Sequence, residues 1–297
     1  MKINPKARID RGRVRVRRGG GRTGGFPMPG GGSGGGSGLP IPAGGGIVGI
    51  VLVVILFIVL AQCNGGIPGM GSTSDSGSDE VADCDTGADA AKSENCKLTL
   101  FVSAIERYWE EALPKQAGVE YSDAQLQIFS GSTSSGCGQA SSAMGPFYCP
   151  ADEKVYLDLS FFRELSRRFG APGDFAAAYV IAHEIGHHIQ GELGIEEQAR
   201  RKQQEDPSRA NVYSVQLELQ ADCFAGVWAR STYDRGLLDA GDIEEGLAAA
   251  AAVGDDRLGA RSREQWTHGS SELRTQWFRT GFDSGQPGDC DTSGVDL

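Results

Sequence analysis

Hydrophobic positions in this chain of 297 residues form one long apolar run followed by shorter periodic segments. The run extends from Ala43 to Ala61 and contains no charged or polar side chain. As a helix it would span about 28 Å, close to the thickness of the hydrocarbon core of a bilayer. A buried strand or core helix is the weaker interpretation because no polar residue interrupts the run. The pattern predicts a transmembrane helix over residues 43–62.

The segments that flank this run are rich in glycine, proline and serine. Such compositions are typical of disordered chain, because too few apolar side chains are present to form a core. We therefore expect a basic, Gly-rich disordered leader over residues 1–42 and a flexible acidic linker over residues 63–95. Residues 96–297 are numerous enough to bury a hydrophobic core and are predicted to form the globular domain.

Within this domain, most apolar residues recur at helical spacing. Helices are expected at about residues 98–113, 160–169, 175–193, 208–230, 242–253 and 270–282. The stretch Val155–Leu159 alternates and is rich in strand-forming residues, so it predicts a short strand. We expect that strand at a sheet edge, where it could pair with an extended substrate. The predicted fold class is α+β, mostly helical with a small sheet.

Charge is distributed unevenly between the two ends of the chain. Residues 1–62 contain nine Lys/Arg and one acid, whereas the remainder contains 19 Lys/Arg and 38 Asp/Glu. The acidic remainder argues against nucleic acid as a partner, because phosphate binding needs clustered basic side chains. Basic residues beside a membrane span stay in the cytoplasm. We therefore predict a single-pass membrane protein with a cytoplasmic N-terminus and an extracytoplasmic domain.

Two other interpretations of the apolar run predict processing. A cleaved secretory signal would have a positive region of more than 40 residues and lacks a small-x-small cleavage pattern. The tetrapeptide Leu60–Cys63 resembles a bacterial lipoprotein box, but Gln62 stands where that box has a small residue. We favour an uncleaved anchor, with lipidation of Cys63 as the alternative.

Cysteine usage agrees with export. Of seven cysteines, six lie beyond the apolar run and Cys63 borders it. An even number in an oxidising compartment predicts up to three disulfides, although sequence alone does not fix the pairing. Proximity along the chain favours Cys84–Cys96 and Cys137–Cys149, which leaves Cys223–Cys290. Reduced, buried cysteines in a cytosolic fold are the alternative.

The predicted helix over residues 175–193 contains His183-Glu184-Ile185-Gly186-His187, an H-E-x-x-H motif. Two imidazoles four residues apart share one helix face, so both can bind one metal ion. Neutral imidazole suits Zn²⁺, which lowers the pKa of bound water to about 7, and Glu184 is placed to act as the base for that water. An amphipathic helix with surface histidines is the alternative interpretation.

Catalytic zinc sites use three protein ligands and one open position. His188 is a poor third ligand because it points away from His187, and we expect it to be a packing or solvent-facing residue. The next long helix carries Glu218 and Asp222 one turn apart in apolar surroundings. We predict that Glu218 binds the zinc ion and that Asp222 accepts a hydrogen bond from a ligand histidine, His183 in our assignment. A solvated helix face is the alternative.

Five segments between Gly136 and Phe278 together resemble a known family. They are GCGQASSAMGPFYCP, VYLDLSFFREL, FGAPGDFAAAYVIAHEIGHHIQ, QLELQADCFAGVWA and WTHGSSELRTQWF. The stretch, about half the chain, is similar to the bacterial putative neutral zinc metallopeptidase family. The resemblance implies a membrane-anchored, extracytoplasmic zinc metallopeptidase with a zincin-like domain, whose third ligand is a glutamate, as in gluzincins.

The predicted function is hydrolysis of peptide bonds in a peptide or protein substrate, with a zinc-activated water and Glu184 as general base. His268 is a candidate donor to the developing oxyanion and Tyr213 is a second one. Arg274 either pairs with a substrate carboxylate or bridges two helices. The alternative function is a catalytically idle, zinc-stabilised envelope scaffold or binding module. A third hypothesis keeps the hydrolase but assigns it an amide bond in cell-wall peptide.

Overall fold

A computed structural model describes residues 1–18, 81–169 and 173–297 of the chain. In this part of the chain the fold is mostly helical with a small sheet, as the sequence predicted. The helices are α1 (Gly87–Ala90), α2 (Glu94–Ala117), α3 (Leu159–Phe169), α4 (Asp174–Glu192), α5 (Ile195–Glu205), α6 (Ala210–Asp234), α7 (Asp242–Ala252), α8 (Asp255–Leu258) and α9 (Ser271–Ser284). The helix α5 was not predicted, because it is highly charged and buries only Ala199.

Six strands form a four-stranded sheet and a separate hairpin. They are β1 (Val14–Arg18), β2 (Gln125–Ser130), β3 (Ser132–Ser135), β4 (Gly138–Ser141), β5 (Phe147–Cys149) and β6 (Lys154–Asp158). The larger sheet has the order β1-β2-β6-β5, with β5 antiparallel to β6 and the other pairs parallel. The predicted strand is therefore real, but its expected edge position is wrong, because β6 is paired on both sides. Among the described residues, β1 and β5 form the edges.

The N-terminal segment corrects one of our predictions. Residues 1–18 were expected to belong to a disordered leader, but Val14–Arg18 forms a strand that pairs in parallel with β2. Val14 and Val16 are buried opposite Leu126 and Ile128. The alternation of valine with arginine over residues 14–17 is a strand pattern. We missed it because it lies within a basic, glycine-rich region.

An ion-pair cluster fixes the same segment to helix α2. The Arg13 guanidinium contacts Glu106 at 3.4 Å and Asp123 at 3.3 Å, and it also pairs with Glu110. The side chain of Glu106 is fully buried, and burial raises its pKa to about 9, so Arg13 donates to a largely protonated acid there and forms its ion pairs with Glu110 and Asp123. Packing and charge thus both join the segment to the domain.

The globular domain was predicted to begin at residue 96, but it already includes residues 81–95. Residues 81–95 were assigned to a flexible linker, but they contain α1 and a disulfide that joins Cys84 to Cys96. Val81 and Cys84 are buried in the main core. The linker prediction is wrong for these residues because a covalent bond and apolar burial fix them to α2.

Three disulfides join the six described cysteines in the pairs that sequence proximity favoured. They are Cys84–Cys96, Cys137–Cys149 and Cys223–Cys290. The third pair links α6 to the C-terminal tail and closes a sequence separation of 67 residues. A disulfide that closes a longer loop removes more conformational entropy from the unfolded chain, so this pair restricts the unfolded chain more than the other two.

Glycines allow the central helices to pack closely. A side chain added at Gly226 of α6 would collide with the backbone of Phe278 in α9, and one added at Gly281 of α9 would collide with Cys223. The two helices therefore meet backbone to backbone. This close crossing carries Arg274 of α9 to the centre of α6, where the candidate site lies.

No helix in the described ranges is long and apolar enough to cross a bilayer. The predicted span over residues 43–62, and Cys63 beside it, lie outside those ranges. The membrane anchor therefore stays a prediction.

Candidate metal centre

Two crossing helices bring the predicted ligands together. His183 and His187 lie one turn apart on α4, and Glu218 lies on α6. A Cβ atom added at Gly186 would lie only 3.0 Å from the Cα atom of Ala221, so α4 and α6 approach closely between the two imidazoles. The glycine inside the motif is thus what allows a carboxylate of α6 to reach both histidines.

The three side chains converge on one point. The Nε2 atom of His183 lies 3.2 Å from Oε2 of Glu218, and the Nε2 atom of His187 lies 3.6 Å from its Oε1. One ligand atom from each residue lies within 4.8 Å of the other two. His183 is buried, whereas His187 and Glu218 are partly exposed, which leaves the point accessible from one side.

The opposite ring nitrogens determine which atoms face that point. Nδ1 of His183 donates to the Asp222 carboxylate at 2.8 Å, and Nδ1 of His187 contacts Oε1 of Gln190 at 2.9 Å. When each Nδ1 carries the hydrogen, each Nε2 presents a lone pair toward the oxygens of Glu218. Burial would lower the pKa of His183, but Asp222 and Glu218 raise it to about 9, so a proton on Nε2 bridges His183 and Glu218 in the metal-free protein. A metal ion that replaces this proton would find two imidazole nitrogens and a carboxylate, a donor set that fits zinc.

The charge around the point favours a divalent ion. Glu184, Glu218 and Asp222 are carboxylates, and Arg274 is the guanidinium that contacts Asp222 at 2.8 Å and Glu218 at 3.8 Å. Burial would raise the pKa of both Glu218 and Asp222, but the neighbouring His183 and other cationic groups lower it below its usual value, so these two carboxylates stay ionised and supply the negative charge that a cation needs. Two imidazoles and one carboxylate with an open side are the ligands of a catalytic zinc site.

Asp222 occupies the position that the sequence predicted for it, beside His183. Its carboxylate is fully buried and also accepts from the Tyr179 hydroxyl and from Nε and Nη2 of Arg274. Burial alone would raise the pKa of Asp222, but Arg274 and His183 lower it below its usual value. Arg274 is 3% exposed, and its Nε and Nη2 atoms donate to Asp222. It therefore joins α9 to α6, as the helix-bridging interpretation of this residue expected.

The remaining member of the motif, Glu184, is a buried acid. Only 7% of its surface is exposed. Burial raises the pKa of Glu184, and the neighbouring His183 and His187 partly offset that shift. A carboxyl whose pKa is raised toward neutrality is suited to accept and return a proton.

The loop before α9 brings His268 to the centre. Backbone N–H groups of Thr267, His268 and Gly269 all donate to Oδ2 of Asp255, at 2.7, 2.7 and 2.9 Å. Burial lowers the pKa of His268, but Glu218 and Asp255 outweigh that effect and raise it. The loop therefore holds a potential cationic donor beside the zinc-ligand candidates.

Tyr213, the other candidate donor, lies elsewhere. Its ring is 6.0 Å from the Lys202 ammonium and 5.9 Å from the Arg209 guanidinium. It borders a cavity between α5, α6 and the C-terminal tail. The structure thus groups His268, and not Tyr213, with Glu218.

His188 has the packing position that we expected. Its Nε2 donates to the Ser122 carbonyl at 2.6 Å and its Nδ1 accepts from the Tyr148 hydroxyl at 3.0 Å. Both ring nitrogens are therefore used away from the metal point.

Sequence reasoning missed Gln190, Tyr179 and Asp255. Gln190 follows His187 by three residues on the same helix face, a spacing that could have identified it. Tyr179 precedes His183 by one turn and could have been found in the same way. Asp255 carries no such signal, because it acts on a loop that lies 12 to 14 residues further along.

Replacing Asp222 by asparagine is expected to weaken zinc binding by about 10- to 100-fold, the usual effect of losing the partner of a ligand histidine. An amide also removes the nearer of the two carboxylates that contact Arg274. Equilibrium competition with a chromogenic chelator measures the affinity. Asp256→Asn in the neighbouring α8 is the control. Unchanged zinc affinity in Asp222→Asn would contradict the assigned role.

Comparison with known proteins shows the family to which the chain belongs. The sequence profile of the putative neutral zinc metallopeptidase family matches residues 13–293. The uncharacterized protein YpfJ of Escherichia coli (strain K12) is 47% identical over 211 residues, which cover 69% of this chain and 73% of that protein. The uncharacterized protein Rv2575 of Mycobacterium tuberculosis is 42% identical over 236 residues, 73% of this chain and 77% of that protein. No solved structure matches. The chain belongs to the putative neutral zinc metallopeptidase family.

Proposed function

We propose that this protein is a zinc-dependent peptidase that hydrolyses peptide bonds in peptide or protein substrates. The observation that carries the proposal is the convergence of His183, His187 and Glu218 on one point beside the buried Glu184. A purely structural zinc site has no use for an acid in that position. The catalytically idle scaffold is therefore the weaker alternative.

His183, His187 and Glu218 would hold the metal. Zinc in such a site supplies a Lewis acid that polarises the scissile carbonyl and activates water at neutral pH. Glu184 accepts the proton that the attacking water loses and returns it to the leaving amine. Burial raises the pKa of Glu184, which favours its uptake of that proton.

His268 is the proposed donor to the developing oxyanion. The Asp255 carboxylate fixes its backbone and also contacts its Nδ1 at 3.3 Å. With the hydrogen on Nδ1 shared with Asp255, the pKa of the ring is raised, which favours a second hydrogen on Nε2. Donors of this kind contribute about 3–4 kcal/mol to transition-state stabilisation.

We also propose that the domain works outside the cytoplasm. The support is its three disulfides, which persist in oxidising compartments and are rare in the cytosol. Attachment to the bacterial cell membrane through residues 43–62 is part of the same proposal and rests on the sequence alone. A single bilayer crossing by these residues would require β1 to separate from β2.

Removal of the metal tests the proposed function. The full-length protein is expected to bind about one zinc ion per chain, to cleave members of a peptide library, and to lose cleavage on chelation. Adding zinc back should restore it. The full chain is required because residues 1–18 and 81–95 form part of the domain. Zinc binding without cleavage of any peptide would favour the scaffold, and absence of zinc binding would overturn both functions.

A further inference from the structure

A chain of side-chain amides connects one metal-ligand candidate to the far end of the protein. Nδ1 of His187 contacts Oε1 of Gln190 at 2.9 Å. The amide nitrogen of Gln190 donates to the Leu217 carbonyl at 2.7 Å and to Oε1 of Gln220 at 3.0 Å. The amide nitrogen of Gln220 then donates to the Cys290 carbonyl at 2.9 Å. The chain therefore runs from α4 across α6 to the C-terminal tail.

The carbonyl groups at its end give this chain a single direction. A backbone carbonyl only accepts, so Gln220 must turn its nitrogen toward Cys290 and its oxygen toward Gln190. Gln190 must then turn its own nitrogen toward Gln220 and Leu217, and its oxygen toward His187. His187 is left with one possible role, donation from Nδ1, and its Nε2 lone pair faces the metal point.

Burial makes this direction consequential. Gln190 is 1% exposed, so no water replaces a lost partner of its amide at low cost. Leu217 alone fixes the nitrogen of Gln190 only in part, because a primary amide has two hydrogens to place. Gln220 accepts the second one, and the Cys290 carbonyl, which accepts from the nitrogen of Gln220, keeps the oxygen of Gln220 turned toward Gln190.

Besides the contact between Gln220 and Cys290, the tail is attached to α6 by hydrogen bonds at Gln216 and by one disulfide. Thr292 donates to the Gln216 carbonyl at 2.7 Å, and the Gln216 amide donates to the carbonyls of Ser293 at 3.1 Å and Val295 at 2.8 Å. The covalent attachment is the disulfide from Cys290 to Cys223, three residues after Gln220 on α6. This disulfide keeps the Cys290 carbonyl, the last acceptor of the amide chain, within hydrogen-bond distance of the Gln220 amide.

We propose that the C-terminal tail helps the metal centre to bind zinc, because it fixes the orientation of His187. Gln190 and Gln220 are positioning residues for His187, and the Cys223–Cys290 disulfide keeps the last acceptor in place. Opening this disulfide releases the direction of the amide chain and lowers the affinity for zinc. The inference rests on the proposed function, and it adds that zinc affinity depends on the oxidation state of one cysteine pair.

A second ligand candidate, His183, provides an internal comparison. The Nδ1 partner of His183 is Asp222, which is held by Arg274 and Tyr179 and has no contact with the tail among the described residues. Release of the tail should therefore disturb His187 and leave His183 unchanged. The Cys137–Cys149 disulfide serves as a matched control, because it joins β5 to the loop before β4 and not to the amide chain.

Two variants test the proposal in the full-length protein. Gln220→Leu breaks the chain of amides but keeps the disulfide. The double variant Cys223→Ala/Cys290→Ala removes the disulfide but keeps both glutamines. Each is expected to weaken zinc binding at least about 10-fold, the lower end of the effect of losing a histidine partner. The control Cys137→Ala/Cys149→Ala should retain the parental affinity. Thermal unfolding of the metal-free forms shows whether each variant is folded.

A metal-free measurement separates positioning from general loosening. The chain has only four histidines, so ¹⁵N-histidine NMR can follow each imidazole. His187 should have its hydrogen on Nδ1 in the parent and mixed forms in both test variants, while His183 stays unchanged. Parental zinc affinity together with an unchanged His187 signal in folded variants would overturn the inference. If the parent itself binds no zinc, the proposed function fails. The His187 signal still decides whether the chain of amides fixes the position of the imidazole hydrogen.

Discussion

Replacing Glu184 by glutamine is expected to leave zinc binding at about one equivalent per chain and to reduce peptide cleavage by about 10²- to 10⁴-fold, the usual contribution of a general base. Glutamine has the size of glutamate but takes up no proton at neutral pH. The three metal-ligand candidates are untouched, so binding and catalysis should separate. Zinc analysis and the rate of cleavage of one library-derived peptide measure the two effects.

A neighbouring acid provides the control for this substitution. Glu197→Gln removes an exposed carboxylate of α5 that pairs with Arg201, and it should leave both zinc and cleavage unchanged. Parental cleavage by Glu184→Gln would show that Glu184 is not the base and would contradict the mechanism. Loss of zinc in Glu184→Gln would instead show that this carboxylate holds the metal.

Replacing Glu218 by alanine should remove zinc and cleavage together. The substitution deletes the oxygens that lie 3.2 and 3.6 Å from the two histidines and leaves two imidazoles as the remaining ligands. Metal binding contributes to folding free energy, so the zinc-dependent part of the thermal stability should also disappear. Metal analysis and the shift of the unfolding temperature on addition of zinc measure these effects.

Glu205→Ala is a suitable comparison for Glu218→Ala because it removes an exposed acid at the end of α5. It should keep its zinc-dependent shift of the unfolding temperature. Full zinc occupancy in Glu218→Ala would place the third ligand elsewhere, with His268 as the next candidate. Retained zinc with lost cleavage would make Glu218 a catalytic group instead of a ligand.

The parts of the site that the sequence predicted correctly depend on local geometry. His183 and His187 share a helix face because of their spacing. Glu218 and Asp222 attracted attention because two acids one turn apart rarely occur in an apolar helix unless burial is compensated. The structure brings these four side chains together, and the roles assigned to them stay predictions.

The missed features depend on partners far along the chain. Val14 and Val16 form a strand because they pair with Leu126 and Ile128, more than 100 residues away. Gln190 positions an imidazole only because Gln220 and Cys290 lie next to it in the fold. Hydrophobic periodicity reports the local conformation and not the neighbour. The alternation of residues 14–17 and the spacing of Gln190 from His187 were visible in the sequence, but the pairing with β2 and the contacts with Gln220 and Cys290 were not.

The position of β1 in the sheet constrains the placement of the chain at a membrane. Residues 1–18 share hydrogen bonds and the Arg13 ion pairs with the described residues after the apolar run, 81–169 and 173–297, so in this fold both parts occupy the same aqueous compartment. A single bilayer crossing between them would hold them about 30 Å apart, on opposite faces. A cytoplasmic leader with an external domain and the β1–β2 pairing are thus mutually exclusive. In the paired form, Arg11 and Arg13 act as counter-charges for Asp85, Glu110 and Asp123 of the acidic domain.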